Sequence, residues 1–171
     1  MSEKELNKEL KEKAIACGLC QQWQDEWQCD WSMEKMISQF YRGLDFFLKK
    51  RFVSNSFIKK NVPIEFRRSN GILVDDKYSL VNPENAILLG ESESTIRING
   101  SKASRVYVTD KSKLTVIAKN RAFVLVHLLD DASVDAQAFD SARLVVIQHS
   151  NGVSIKTNDL AIVKREFGFL N

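Results

Sequence analysis

One short pattern recurs six times between Ser94 and Val146, and that recurrence limits the fold more than any other feature of the chain. A small residue is followed at alternate positions by two apolar ones: Ser94-Ile96-Ile98, Ser104-Val106-Val108, Ser112-Leu114-Val116, Ala122-Val124-Val126, Ala132-Val134-Ala136 and Ala142-Leu144-Val146. A degraded copy follows at Gly152, Val153 and Ile155. The copies start ten, eight, ten, ten and ten residues apart. Turn-forming residues keep the same rhythm at Asp110, Asn120, Asp130, Asp140 and Ser150. Alternation alone also describes an antiparallel meander. A meander does not require equivalent positions to be filled alike, whereas a β-solenoid stacks each position on its equivalent in the next coil. The pattern therefore predicts a short β-solenoid of ten-residue repeats. Two units would make a flattened coil with opposing sheets about 10 Å apart; a coil of three units is the alternative.

The outward residues of a two-unit coil sort into two faces. One carries Tyr107, Phe123, Leu125, His127, Leu129, Val145 and Ile147; the other carries Lys113, Thr115, Lys119, Ser133, Asp135 and Gln137, interrupted by Ile117 and Phe139. A contiguous apolar face of this kind is normally covered. The seven residues of the first face are thus the candidate interface, covered either by the preceding helices or by a second copy of the chain.

The first seventy residues read differently. Ser2 and Glu5 form a capping box, and Leu6, Leu10, Ala14 and Cys17 keep helical spacing up to Gly18. Ser32 caps a second helix, stapled by Trp31 and Met36, that the spacing carries to about Arg51. Trp23, Trp27 and Trp31 recur every four residues, which predicts a helical face used for packing. Ser54 or Ser56 starts a short helix through Lys60, and Pro63 another that ends near Gly71. The fold class expected is α+β: a helical head over 1–70, a lead-in segment over 71–93, solenoid repeats over 94–157 and a cap over 158–171. In that cap Lys164, Arg165 and Glu166 supply charge, and Phe167, Phe169 and Leu170 fold over the last coil.

Charge follows the same division. The whole chain has 25 Lys+Arg and 22 Asp+Glu. Residues 1–70 hold 13 basic and 10 acidic side chains, and residues 71–171 hold 12 of each, so the formal +3 belongs to the head. Within it Lys49, Lys50, Arg51, Lys59, Lys60, Arg67 and Arg68 face only Glu65, interleaved with Phe52, Phe57 and Phe66. This is the candidate phosphate-contacting stretch of a nucleic-acid-associated protein. The bland reading is a set of solvated helix ends, where basic residues suit the helix dipole.

Chemistry is sparse. No P-loop, G-x-G-x-x-G, H-E-x-x-H or G-x-S-x-G is present. Cys17, Cys20 and Cys29 are three thiols without a second half to a zinc site, and their odd number fits a reducing compartment. His127 and His149, 22 residues apart, fall on one face of the two-unit coil with no carboxylate or cysteine arranged around them. Asp130, Asp131, Asp135 and Asp140 supply acids for a carbohydrate-active enzyme, but there are no long loops to build a cleft. No apolar run approaches the roughly 18 residues of a membrane span, and the charged opening without an apolar segment predicts no secretory leader. The expectation is a cytoplasmic, non-enzymatic interaction or assembly module with no catalytic residue, metal or cofactor. Its partner would be a protein or itself, possible as a homodimer, with nucleic acid as the alternative.

The segments GLCQQWQDEW, MISQFYRGLDFFLKKRF, SNSFIKKN and RRSNGILVDD, followed by the decapeptide repeats, resemble a family of proteins carried by gut-bacterial genomes, often on mobile elements. The resemblance spans essentially the whole chain. It implies a helical head on a β-solenoid body and brings no activity or site residue with it.

Overall fold

The computed structural model describes residues 1–168. Phe169 and Leu170, assigned above to a terminal cap, lie outside the described residues. The chain divides into two compact units, Met1–Val62 and a second that begins at Pro63.

The first unit is helical because its segments carry separate start and stop signals. In α1 (Glu3–Ala16) the Ser2 hydroxyl accepts from the Glu5 amide while the Glu5 carboxylate accepts from the Ser2 amide at 2.7 Å. Gly18, at φ 91°, turns the chain out of the helix. Asn7, fully buried on α1, accepts from Trp27 Nε1 at 2.5 Å and donates to the Gln28 carbonyl at 2.9 Å. That pair of bonds fixes the segment after α2 (Gln21–Glu26).

The tryptophans do not form one helical stripe. Trp27 sits in extended backbone just past α2 and packs on Trp31 with ring centroids 5.4 Å apart, while Trp23 lies under the Arg42 guanidinium. Their four-residue spacing comes from a helix end and a loop. Nor does the helix from Ser32 run unbroken to Arg51. It divides at Gly43 into α3 (Met33–Arg42) and α4 (Leu44–Lys50), and the Trp23 ring closes on the space a side chain at Gly43 would fill. Ser54 caps α5 (Asn55–Asn61) by accepting from the Phe57 amide at 3.1 Å.

The second unit opens with α6 (Ile64–Ser69), which the sequence places with the head but which packs on β1. Gly71 joins the two at φ 72°, where a Cβ would strike the Asn85 carbonyl. The strands are β1 (Ile72–Val74), β2 (Leu80–Val81), β3 (Asn85–Leu89), β4 (Glu93–Ile98), β5 (Ala103–Val108) and β6 (Lys113–Ala118). They continue as β7 (Phe123–Leu128), β8 (Ser133–Ala138), β9 (Arg143–Gln148), β10 (Ser154–Thr157) and β11 (Ala161–Arg165).

Odd strands form one sheet, β1-β3-β5-β7-β9-β11, and even strands the other, β2-β4-β6-β8-β10. Every described pairing is parallel, so the fold is a β-solenoid of about four turns and not a meander. Paired strands extend into both the lead-in and the cap segments.

Between the sheets lies a continuous aliphatic core in which Ile96, Val106, Val116, Val126, Ala136 and Val146 are each 0% exposed. Register corrects one detail of the sequence pattern. Ser94 stands beside Leu114, and Ser104 beside Val124. The serines at 94 and 104 are therefore not the counterparts of Ser112 and Ala122. The true neighbour of Ser112 in the preceding turn is Ser92, whose carbonyl accepts from the Lys113 amide at 2.8 Å. The apparent step of eight residues is a two-residue slip of alignment.

The corners explain the repeated Asp and Asn. Asp110, Asn120, Asp130 and Asp140 all adopt left-handed backbone, with φ between 54° and 60°. Asn and Asp tolerate this conformation because a short polar side chain can bond locally. Here the bonds run between turns. Asp110 accepts from the Gly90 amide at 2.6 Å, Asp130 from the Asp110 amide at 3.0 Å, and Asp140 from the Asn120 amide at 3.2 Å.

Candidate functional site

Outward positions of the odd-strand sheet form columns that continue from turn to turn. Ile87, Tyr107, His127 and Ile147 stand in one column; Leu125, Val145 and Ile162 stand in the next. Their exposure differs sharply. Of the seven candidate interface residues, Tyr107, His127, Leu129 and Ile147 are buried in the single chain at 9% exposure or less. Leu125 and Val145 are half-buried, and Phe123 is 46% exposed. Only this second group, extended by Ile162 at 55%, presents apolar surface to solvent.

The buried column contains His127, and His149 stands beside it at the corner after β9. His127 lies parallel to the Tyr107 ring, centroids 4.6 Å apart. His127 Nδ1 and His149 Nε2 are 2.9 Å apart, and His149 Nδ1 is 2.8 Å from the Glu166 carbonyl oxygen. The carbonyl can only accept, so His149 carries its proton on Nδ1. In the neutral His149 ring Nε2 is then the acceptor, and His127 donates from Nδ1. The two bonds tie β7, the corner after β9 and the end of β11 together. Burial, then the neighbouring His149, then Arg105 push the His127 imidazolium down to a pKa of about 4. The His127 ring is built to stay neutral. Among the described residues no cluster of three or more His, Cys, Asp or Glu side chains could hold a metal ion.

On the opposite sheet the outer face is polar. Lys77 pairs with Glu93 at 2.8 Å and Lys156 with Asp135 at 3.3 Å, each ion pair joining adjacent strands or the bridge beside them. The hydrogen bonds of Lys77, followed by its charge, hold the Glu93 carboxyl below the ordinary range. Of the acids named for carbohydrate chemistry, Asp130 and Asp140 bind backbone amides at corners and Asp135 is in this ion pair. Lys119 extends over the exposed Phe139 ring at 5.5 Å.

The basic stretch is split between the two units. Lys49 and Lys50 end α4 and Lys59 and Lys60 end α5, all four exposed, while Arg51 lies half-buried with its guanidinium 5.7 Å from the centre of the Phe47 ring. Arg67 and Arg68 belong to α6 in the second unit. Arg67 is 4% exposed. Arg68 grips Asp76 through two bonds of 2.9 Å and covers the Tyr78 ring, and its bonds hold the Asp76 carboxyl below the usual carboxylate range. These two arginines work inside the fold. Sequence reasoning missed the Arg68–Asp76 fork and the buried Asn7, since a single polar pair leaves no periodic signal.

Among the described residues no helix is long and apolar enough to cross a membrane. Comparison with protein-family profiles, curated proteins and solved structures finds no match.

Proposed function

We propose that this chain is a non-enzymatic interaction or assembly module of the cytoplasm, a solenoid of ten-residue units, two to a turn, that binds a second copy or a protein partner through its outer apolar face. The observation that carries the reading is the outward column of half-buried Leu125 and Val145 and exposed Ile162, flanked by exposed Phe123. It is an aliphatic ladder on a parallel sheet, the kind of surface that monomers normally cover. The ten-residue unit is supported by register, because Asn85, Arg105, Leu125 and Val145 stand side by side at steps of twenty residues. The cytoplasmic assignment is supported by the three free thiols. Light scattering on the wild type and Leu125→Asp tests the reading. The expected result is an assembly larger than one chain that dissociates in the variant. A variant that is folded, soluble and unchanged in mass and in the partners it retains overturns it.

A second reading is favoured by the exposed Lys49, Lys50, Lys59 and Lys60, two at the end of each of two short helices. Nucleic-acid binding through them would weaken steeply with salt, with a slope set by the phosphates neutralised. Loss of binding in Lys59→Glu with Lys60→Glu would select it over the first.

A further inference from the structure

We propose that Asn99–Gly100, at the corner between β4 and β5, is a site where the chain modifies itself. The Asn99 side chain closes on the Gly100 nitrogen, releases ammonia and takes up water, which leaves an aspartyl or isoaspartyl residue.

A backbone nitrogen can attack the carboxamide of the asparagine before it when no side chain crowds the approach, and glycine leaves that path open. Asparagine precedes glycine at three places, Asn70, Asn99 and Asn151. Ring closure within one chain depends on how the two groups are held. At Asn70 both are held elsewhere: the Gly71 amide donates to the Arg68 carbonyl at 3.1 Å, and Asn70 Nδ2 donates to the Phe66 carbonyl at 2.8 Å. Asn151 is exposed, but a side chain at Gly152 would strike the Asp131 carboxylate. That charge stands beside Gly152, whose nitrogen must lose its proton to attack.

Asn99 differs from both. It is exposed, and the Gly100 amide donates to Asn99 Oδ1 at 2.8 Å, so the nitrogen and the carboxamide are already in contact. Asn120 Nδ2 donates to the same oxygen and draws electron density from Cγ. Register explains the arrangement. Ile98 pairs with Ala118, so Gly100 lies level with Asn120, in the left-handed position of the corner at φ 75°. In other corners the amide of the left-handed residue is held by a carboxylate of the next turn: Gly90 by Asp110, Asp110 by Asp130 and Asn120 by Asp140. Where Gly100 would find such a carboxylate stands Asn120, and the Gly100 amide turns back on Asn99. In the preceding turn Asn82, which accepts from the Asn99 amide at 2.8 Å, is followed by Pro83 and has no N–H beside it to lose.

The reaction needs only hydroxide and water. Hydroxide takes the Gly100 amide proton, the nitrogen bonds to Asn99 Cγ, and the bond from Cγ to Nδ2 breaks, the amino group leaving as ammonia with a proton from water. Water then opens the cyclic imide. Cleavage at Cγ restores the main chain and leaves a carboxylate on the side chain at position 99. Cleavage at the backbone carbonyl routes the main chain through Cβ and Cγ and lengthens the corner by one carbon. Either product adds one negative charge, and the second also disturbs the join between β4 and β5.

Peptide mapping by mass spectrometry, during incubation of the full chain in mildly alkaline buffer with and without urea, tests the proposal. In the folded chain the peptide carrying Asn99 is expected to convert first. It passes through a species lighter by one ammonia and ends one mass unit heavier, as aspartyl and isoaspartyl forms. Asn151 should follow, and Asn70 should convert at least about tenfold more slowly than Asn99, because its groups are held apart. In urea the fold no longer distinguishes the three pairs, and their rates should converge. N120D supplies the carboxylate found in the other corners; it should draw the Gly100 amide away and slow Asn99 severalfold, with strand content unchanged by circular dichroism. An Asn99 that converts no faster than Asn70 in the folded chain overturns the proposal. So does a folded N120D chain in which Asn99 reacts as in the wild type.

Discussion

Middle and last turns of the same solenoid are built from the same alternating pattern but end in different states. Val126 lies between Val106 and Val146, each 0% exposed, and the strands on both sides repeat its register at steps of twenty residues. Beside β9, the next neighbour along, β11 pairs Ala161 with Leu144 at a step of seventeen, and its inward Val163 is open to water. The difference teaches that alternation specifies which side of a sheet a side chain occupies. Burial additionally requires a neighbour on both flanks, so a solenoid concentrates its unsatisfied surface at an end.

Substitution of inward residues in a middle turn and in the last one breaks this comparison most visibly. Leu128→Ala, in the closed interior, is expected to cost about 2–5 kcal/mol by leaving a cavity. Val163→Ala should cost well under about 1 kcal/mol in the monomer, because much of that side chain is already in water. Equal losses in chemical denaturation would show that the last turn is as closed as the middle.

The corners supply a second contrast. Asp130 combines left-handed backbone at φ 54° with acceptance from the Asp110 amide. Asp130→Ala is expected to lose about 2 kcal/mol, from strain at that φ together with the lost bond. Asp130→Asn keeps both the tolerance and an acceptor oxygen, and should lose under half as much. Thermal unfolding of the pair checks the order.

A smaller effect tests the histidine bonds that hold β11 in place. The folded His127 pKa of about 4 lies below the ordinary value of 6.5, so the folded state favours the neutral ring. Its contribution is complete above pH 6.5 and is lost as pH falls towards 4. By pH 5 the loss should reach about 1–2 kcal/mol, with partial solvent screening allowed for. His127→Phe keeps an aromatic ring beside Tyr107 and removes the titration. Unfolding free energies between pH 7 and 5 should therefore fall less in the variant, and parallel curves would contradict the assignment.

Much of this architecture was legible in the residues, but unevenly. Parallel stacking followed from equivalent positions being filled alike. The Ser2 and Ser32 caps, and a third at Ser54 or Ser56, followed from local hydrogen-bond chemistry that needs no tertiary context; the structure selects Ser54. The division at Gly43 was not legible, because a glycine inside a helical period is compatible with both a continuous and a broken helix. The phase of the first two repeats misled for a related reason: Ser94 and Ser104 imitate the small corner residue while facing the core. At the candidate site, alternation placed all seven apolar residues on one outer face. It carried no information on access to water, which separates Tyr107, His127, Leu129 and Ile147 from Phe123, Leu125 and Val145. Arg67 and Arg68 looked like their basic neighbours because sequence proximity does not reveal that Asp76 would meet one of them.

The central claim is that the outer face of this solenoid exists to be covered by another molecule, first of all a second copy. Light scattering of the wild type beside Leu125→Asp, at matched concentration and with both shown folded by circular dichroism, tests it most directly. The expected result is a wild-type mass above one chain that returns to one chain in the variant. A wild type and variant that both scatter as single chains at the highest concentration reached would contradict it.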